Sequence, residues 1–243
     1  MTASSEASQA KARWLQVRHR MDAATDAAGR ARESVALLAV SKLQPTQKIR
    51  DLFAAGQHAF GENYVQEALA KCAELAAEPA CSGIEWHLIG PLQSNKTRGV
   101  AEAMHWVHSV DRLKIAERLS AQRPAHLPPL NVCIQVNISG EASKSGCAPA
   151  EAVALLKAAA ALPQLRVRGL MGMPEPGIGE AATRAQFTVL ATLFDEARSV
   201  LPGVDTLSMG MSDDLEIAVA CGSTMVRVGT ALFGARQISQ GVV

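Results

Sequence analysis

Aromatic residues are scarce in this sequence. They make up 4% of 243 residues, and tyrosine occurs once, at Tyr64. Any chemistry that needs a tyrosine acid or base has that one candidate. An excess of one charge is also lacking. The 24 basic and 23 acidic side chains leave a net charge of +1, which gives no electrostatic footprint for nucleic acid or an acidic membrane surface. No run of eighteen apolar residues occurs, so no membrane-spanning helix is expected. The opening segment "MTASSEASQAKARWLQVRHR" has no apolar stretch, so it does not read as a secretory signal. The five cysteines, Cys72, Cys81, Cys133, Cys147 and Cys221, form no C-x-x-C pair. That spacing excludes a zinc motif and suits reduced thiols in a cytoplasmic protein better than a disulfide scaffold. Cys133 and Cys221 lie in apolar segments and are expected in the core.

Apolar residues make up 48% of the chain, enough for a sizeable core. Strand-like and helix-like segments alternate. Residues 5–29 carry Trp14, Leu15, Val17 and Met21 without turn signals, which predicts a helix packing one face. The first strand is expected at 35–41. A helix then opens near Pro45, places Ile49, Leu52 and Phe53 inward, and closes at Gly56. Further strands are expected at 58–60, 84–90, 104–110, 130–138, 165–173, 204–212 and from 224. Between them Val65, Leu69 and Cys72 recur at helical spacing, and Asp111 is placed to cap a helix carrying Leu113, Ile115 and Leu119. Further helices are expected at 149–161 and 180–200. Asp213 and Glu216 read as a capping box for a short helix ended by Gly222. Strands separated by helices pair in parallel, and eight such units close a (β/α)₈ barrel. The competing open, doubly wound sheet would carry a glycine-rich turn after its first strand. "AVSKLQPTQ" has no glycine there. The expected organisation is an N-terminal helix, 1–30, packed on a barrel of 31–243 that forms one domain with it.

Barrel chemistry collects at the C-terminal ends of the strands. Among eight lysines, only Lys42 directly terminates a strong apolar strand, in "LLAVSK". It either snorkels to solvent or pairs with Glu62, or it is an amine whose burial keeps it uncharged and ready to attack a carbonyl. "LSMGMS" and "RVGTALFG" fall at the last two strand ends, where many barrels hold a phosphate. Each alone is also an ordinary turn, and Asp213 and Asp214 would repel a phosphate unless they turn aside. Arg227, in "MVRVG", either pairs with a structural carboxylate or donates to an unprotonated ring nitrogen.

An amine, a phosphate cup and a ring-nitrogen donor together describe a site for pyridoxal 5′-phosphate, PLP. "LLAVSK", "FGENYVQE", "EWHLIGPLQSNK", "VHSVDR", "VNISGEASKSG", "RGLMGMP" and "LSMGMSDDLEIAVACGSTMVRVGTALFG" closely resemble the pyridoxal phosphate homeostasis proteins, in order, over about 35–236. The resemblance implies an α/β fold: a single TIM barrel of the alanine-racemase N-terminal type, without a second β-domain. It implies a Schiff base on Lys42, Arg227 facing the pyridine nitrogen, and Asn63 beside the ring. It also implies that Ser208, Met209, Gly210, Gly229 and Thr230 hold the phosphate. Asn95 and Lys96 match a family motif, but no role follows for them. His87 and His108 read as packed, hydrogen-bonded core residues, and Lys144 as a loop lysine with a second role as an alternative amine.

Two function classes follow: a PLP-dependent racemase or decarboxylase, or a non-catalytic protein that buffers PLP and delivers it to PLP-dependent apoenzymes. Racemisation needs proton transfer on two faces of the substrate. The related racemases take the second group from a tyrosine in an additional β-domain, for which the residues after Thr230 leave no room. The carrier reading is therefore the expectation, in a cytoplasmic monomer with PLP as its ligand and no nucleic-acid or membrane partner.

Overall fold

Ala36–Val40 (β1) is wholly apolar, and Leu37, Leu38 and Ala39 are buried. A strand buried on both faces belongs to a sheet covered by helices. The computed structural model, which describes residues 3–141 and 144–234, continues with β2 (Ala59–Glu62), β3 (Glu85–Leu88), β4 (Trp106–Val110) and β5 (Leu130–Val136). Then come β6 (Leu165–Gly172), β7 (Thr206–Ser208) and β8 (Met225–Val228). All pair in parallel and in chain order, and β1 closes the ring on β8 with Leu38 opposite Arg227. This is the expected (β/α)₈ barrel.

The helices are α1 (Ala3–Ala27), α2 (Thr46–Ala54), α3 (Val65–Ala76), α4 (Thr97–Ala103) and α5 (Leu113–Gln122). They continue with α6 (Ala152–Ala160), α7 (Glu180–Val200), α8 (Leu215–Ala220) and α9 (Thr230–Phe233). The part of the expected barrel domain beyond Gly234 lies outside the described residues, as do Ala142 and Ser143 of the loop after β5.

The extra N-terminal helix packs as predicted, with Ala10, Val17, Met21 and Ala24 buried along one stripe. Polar contacts fasten it to the barrel. Trp14 Nε1 donates to Gln57 Oε1 at 3.2 Å, and Arg13 Nε to the Leu232 carbonyl at 2.7 Å. Arg20 grips both carboxylate oxygens of Glu216 at 2.6 and 2.8 Å and also donates to the Ser212 carbonyl at 2.8 Å. Leu15, expected on the packed face, is exposed. At about 100° per residue it lies on the far side of the helix from Val17.

Other local expectations also yield to the structure. Leu113 is exposed at the start of α5 while Ile115 and Leu119 are buried. Asp111 does not cap α5: the helix begins two residues later, and Asp111 accepts from Arg112 at 2.7 Å. The Asp213–Glu216 capping box does not form. The residue before α8 is Asp214, and Glu216 is taken by Arg20. Gly222 does follow the helix end, at φ 96°. Cys133 is in the core as expected, whereas Cys221 is only half-buried at the end of α8.

The barrel interior departs from the branched aliphatic layers typical of this architecture. Trp106, Cys133 and Met171 make a small apolar cluster. Beside Trp106 stand the fully buried His87 and His108, with buried Ser208 and Arg227 on β7 and β8. The β5–β6 ladder shifts register between Val132 and Cys133, where Gly169 lets β7 come close. A Cβ on Gly169 would sit 1.8 Å from the Thr206 carbonyl oxygen, a rigid backbone atom. We expect Gly169→Ala to destabilise the fold by about 3 kcal/mol. Urea denaturation monitored by circular dichroism measures this, with Gly203→Ala, where no atom lies within 4 Å but φ is 94°, as the milder comparison.

Candidate functional site

The C-terminal ends of the strands enclose a cavity of about 680 Å³, within the size range of small-molecule pockets. Every strand but β4 contributes to it, from its C-terminal end or the loop that follows. Lys42 follows β1, Asn63 follows β2, and Arg227 reaches in from β8. Gly229 and Thr230 form the turn into α9, and Lys144 comes from the loop after β5. Five of the eight residues singled out from sequence therefore line one cavity: Lys42, Asn63, Arg227, Gly229 and Thr230.

Ser208, Met209 and Gly210 do not line it. Ser208 and Met209 are fully buried, and the Ser208 hydroxyl and carbonyl face Arg227. Gly210 lies against α8, where a Cβ would meet that of Ala218 at 2.4 Å. The same loop reaches the cavity one residue later, through Met211, Ser212 and Asp213. Alternation along a strand explains the offset: the sequence places the loop but not which of its residues leave the barrel wall. The Asp214 carboxylate accepts from the Met211 backbone N–H. Asp214 does not line the cavity, while Asp213 does.

The donor set suits a small anionic, polar-ringed ligand. Lys42 and Lys144 supply amines, Arg227 a guanidinium and Ser212 and Thr230 hydroxyls. The first N–H groups of the α9 turn have no acceptor within the turn. Asn63 Oδ1 is buried without a hydrogen-bond partner, although the residue lines the cavity. Buried amide oxygens are rarely left so, and a ligand donor would satisfy it. Gly90 makes this geometry possible, since a Cβ there would sit 2.1 Å from the Asn63 carbonyl oxygen. These residues fit PLP.

Two buried polar groupings support the cavity floor. In the first, Glu62 at the end of β2 accepts from Ser41 Oγ at 2.6 Å and from Lys71 Nζ at 2.8 Å. Lys71 also donates to the Ser41 carbonyl and to Glu67 Oε1, each at 2.7 Å. The ammonium thus spends its three protons on three oxygens. Burial raises the Glu62 pKa, and Lys71 and Ser41 oppose that rise. The ion partner found for Glu62 is Lys71 rather than the Lys42 considered from sequence. Lys71 was missed because it sits mid-helix. The available signal was Glu67, one turn earlier on the same helix face.

The second grouping runs through the barrel axis. Arg227 Nη1 donates to the Ser208 carbonyl at 2.6 Å and to Ser208 Oγ at 2.9 Å, and Nη2 donates to the Gly172 carbonyl at 3.0 Å. Ser208 Oγ is 3.0 Å from His108 Nδ1, and His108 Nε2 is 2.9 Å from His87 Nδ1. Both histidines are packed and hydrogen-bonded, as read from sequence. Burial lowers the pKa of His87 and lowers that of His108 further, with His87 and Arg227 adding to the effect. Burial also pulls the Arg227 guanidinium down to about 10.

Residues 16–237 match the family described as the alanine racemase N-terminal domain, the class that the barrel and its rim define. Within that class, the pyridoxal phosphate homeostasis protein of Pseudomonas aeruginosa is 60% identical over 217 residues, covering 89% of this chain and 91% of the relative. That of Escherichia coli K12 is 54% identical over 228 residues, covering 93% and 96%. The chain belongs to the pyridoxal phosphate homeostasis protein family. The structure of PipY from Synechococcus elongatus with PLP bound superposes with a TM-score of 0.78 at 39% identity, covering 93% of this chain and all of that one. Alanine racemase from Corynebacterium glutamicum superposes with a TM-score of 0.64 at 19% identity over 93% of this chain and 62% of its own, a likeness of fold alone.

The Glu62 grouping yields a test. Lys71→Met leaves a buried carboxylate without its cation, at an expected cost of about 3–5 kcal/mol. The folded pKa of Glu62 is already raised and should rise further in the variant, so the folded state holds its proton at a pH where the unfolded chain releases it. The variant's deficit should therefore shrink as the pH falls through the folded pKa toward the ordinary glutamate value. Urea titrations at neutral and mildly acidic pH check both the size and the direction.

Proposed function

We propose that this protein binds PLP in the cavity at the top of the barrel and serves in holding and supplying the cofactor rather than in turning over a substrate. The observation that carries the reading is the convergence of Lys42, Arg227, the Met211–Asp213 loop and the Gly229–Thr230 turn on one cavity. Its likeness to pyridoxal phosphate homeostasis proteins and to PLP-bound PipY supports it. When bound, PLP supplies an aldehyde that condenses reversibly with a lysine amine and releases water.

Lys42 offers that amine from the second position past β1. Arg227 has five N–H groups and spends three on protein carbonyl and hydroxyl oxygens, so two remain for a ligand. A donor-only group in that place favours an unprotonated ring nitrogen. Gly229 leaves the backbone bare beside Val40, where a Cβ would come within 3.4 Å of the Val40 carbonyl oxygen. Ser212 and Thr230 bring hydroxyls from the two facing loops.

The non-catalytic part of the reading rests on what surrounds Lys42. Among the described residues, no tyrosine, histidine or cysteine lines the cavity, and Tyr64 is exposed outside it. A second acid–base group would have to be Lys144 or Asp213, both at the solvent-open side. An exposed ligand exchanges readily, which suits delivery. We propose PLP-dependent apoenzymes as the recipients and a cytoplasmic monomer as the donor. Among the described residues, no helix is long and apolar enough to cross a membrane.

Three results should follow. The purified protein should take up PLP with a visible absorption band that Lys42→Ala loses. Borohydride reduction followed by peptide mapping should label Lys42, and label on Lys144 instead would reassign the amine. Incubation of the loaded protein with single L-amino acids, followed by chiral chromatography, should give no stereoinversion above the rate of free PLP. Inversion at enzyme-like turnover would overturn the carrier reading.

A further inference from the structure

The polar file inside the barrel extends beyond what ligand binding requires, and its chemistry gives it a direction. Arginine only donates, so Ser208 Oγ accepts from Arg227 and must place its own proton elsewhere. Among the described residues, the acceptor in reach is His108 Nδ1, at 3.0 Å. His108 then carries its proton on Nε2 and donates to His87 Nδ1 across 2.9 Å. His87 in turn carries its proton on Nε2, which lies 3.1 Å from Glu85 Oε1 at the N-terminal mouth of the barrel.

The reverse order fails at both ends. It would turn a His87 lone pair toward a carboxylate and leave the Ser208 proton without an acceptor. The last link is the loosest. His87 Nε2 is within reach of Glu85 but out of line for a hydrogen bond, so the contact is electrostatic. Glu85 is 45% exposed in its side chain, whereas both imidazoles are sealed from solvent. Trp106 stacks on His87 with ring centroids 5.2 Å apart and planes within 7°, which fixes the ring that links the two mouths. Burial disfavours the charged form of both histidines, in keeping with two neutral rings.

We propose that Glu85, His87, His108 and Ser208 are positioning residues: a one-way relay that spans the barrel, sets the guanidinium of Arg227 and makes its contact with the ligand ring sensitive to the charge at the opposite mouth. The part concerning the ligand rests on the PLP reading above. The relay itself does not. Bonds in such a file polarise one another, so breaking the middle link releases Ser208 and loosens Arg227, although none of the four relay residues touches the cavity.

Two measurements test the proposal, and they fail separately. Side-chain ¹⁵N correlation spectra of the ligand-free, full-length protein at neutral pH should show His87 and His108 both as neutral Nε2–H tautomers. Glu85→Gln should shift the His87 Nε2 resonance and, to a smaller extent, that of His108. An Nδ1–H tautomer or a charged ring at either position overturns the relay, whether or not PLP binds. The second measurement is spectrophotometric titration with PLP. His108→Phe, which fills the same space without a nitrogen, should weaken uptake about ten-fold, as expected for a coupling of about 1.4 kcal/mol, and displace the visible band. Glu85→Gln should displace the band in the same direction by less. A merely structural histidine would lower thermal stability and leave affinity and band unchanged, and that outcome also overturns the proposal. If His108→Phe does not fold, the tautomers of the unaltered protein decide. If the unaltered protein takes up no PLP, the binding reading falls and the tautomer result still stands for or against the relay.

Discussion

A guanidinium buried in the middle of a barrel is the constraint around which the rest of this structure is arranged. Removing a charge from water costs several kcal/mol unless oxygens replace the lost solvent. Arg227 finds the Ser208 hydroxyl, the Ser208 carbonyl and the Gly172 carbonyl. None is a carboxylate, and burial accordingly depresses its proton affinity. Among the described residues no carboxylate pairs with it, so the group stays hungry for an acceptor. That demand makes it a useful wall for a ligand, and it accounts for the polar residues on the strands beneath it.

The fold serves this demand through register. β8 sits between β7 and β1, with Arg227 opposite Leu38 and Ser208 opposite Met225. The strand that carries the guanidinium is therefore flanked by the strand that holds it and the strand that leads to Lys42. On the other side of Lys42, the Glu62–Lys71–Ser41 grouping anchors the chain just before it, with Ser41 bound through both its hydroxyl and its carbonyl. Outside the barrel, α1 reaches the loop after β7 through Arg20, whose guanidinium touches Glu216 and the Ser212 carbonyl. Each of these supports is thus a charged group held by hydrogen bonds to the protein, and that of Lys71 uses all three of its protons.

Much of this was legible in the sequence. Apolar strands alternating with helices gave the barrel, and Lys42, Arg227 and the two glycine-bearing loops were marked by their place at strand ends. Local patterns failed where a long-range partner intervened. Glu216 reads as a capping residue until Arg20, nearly two hundred positions away, claims it. Lys71, in the middle of a helix, goes unremarked until Ser41 and Glu62 arrive from neighbouring strand ends. Ser208, in the glycine-bearing loop "LSMGMS", is implied by the family resemblance to hold a phosphate, but strand alternation turns it inward, toward Arg227. The two histidines were recognisable as buried. Their meeting across β3 and β4 depended on register, which periodicity alone does not reveal.

A polar barrel axis also limits how such a core can drift. In an interior of leucine, isoleucine and methionine, one residue can replace another when a neighbour yields the space, because volume is the only quantity conserved. Here hydrogen-bonding valence must be conserved as well. A histidine on β4 cannot be exchanged for an aliphatic residue without stranding the serine on β7, and no adjustment of bulk elsewhere restores the missing nitrogen. Positions far apart in the chain are thereby yoked, so mutational freedom in this protein should concentrate on the outer layer of helices.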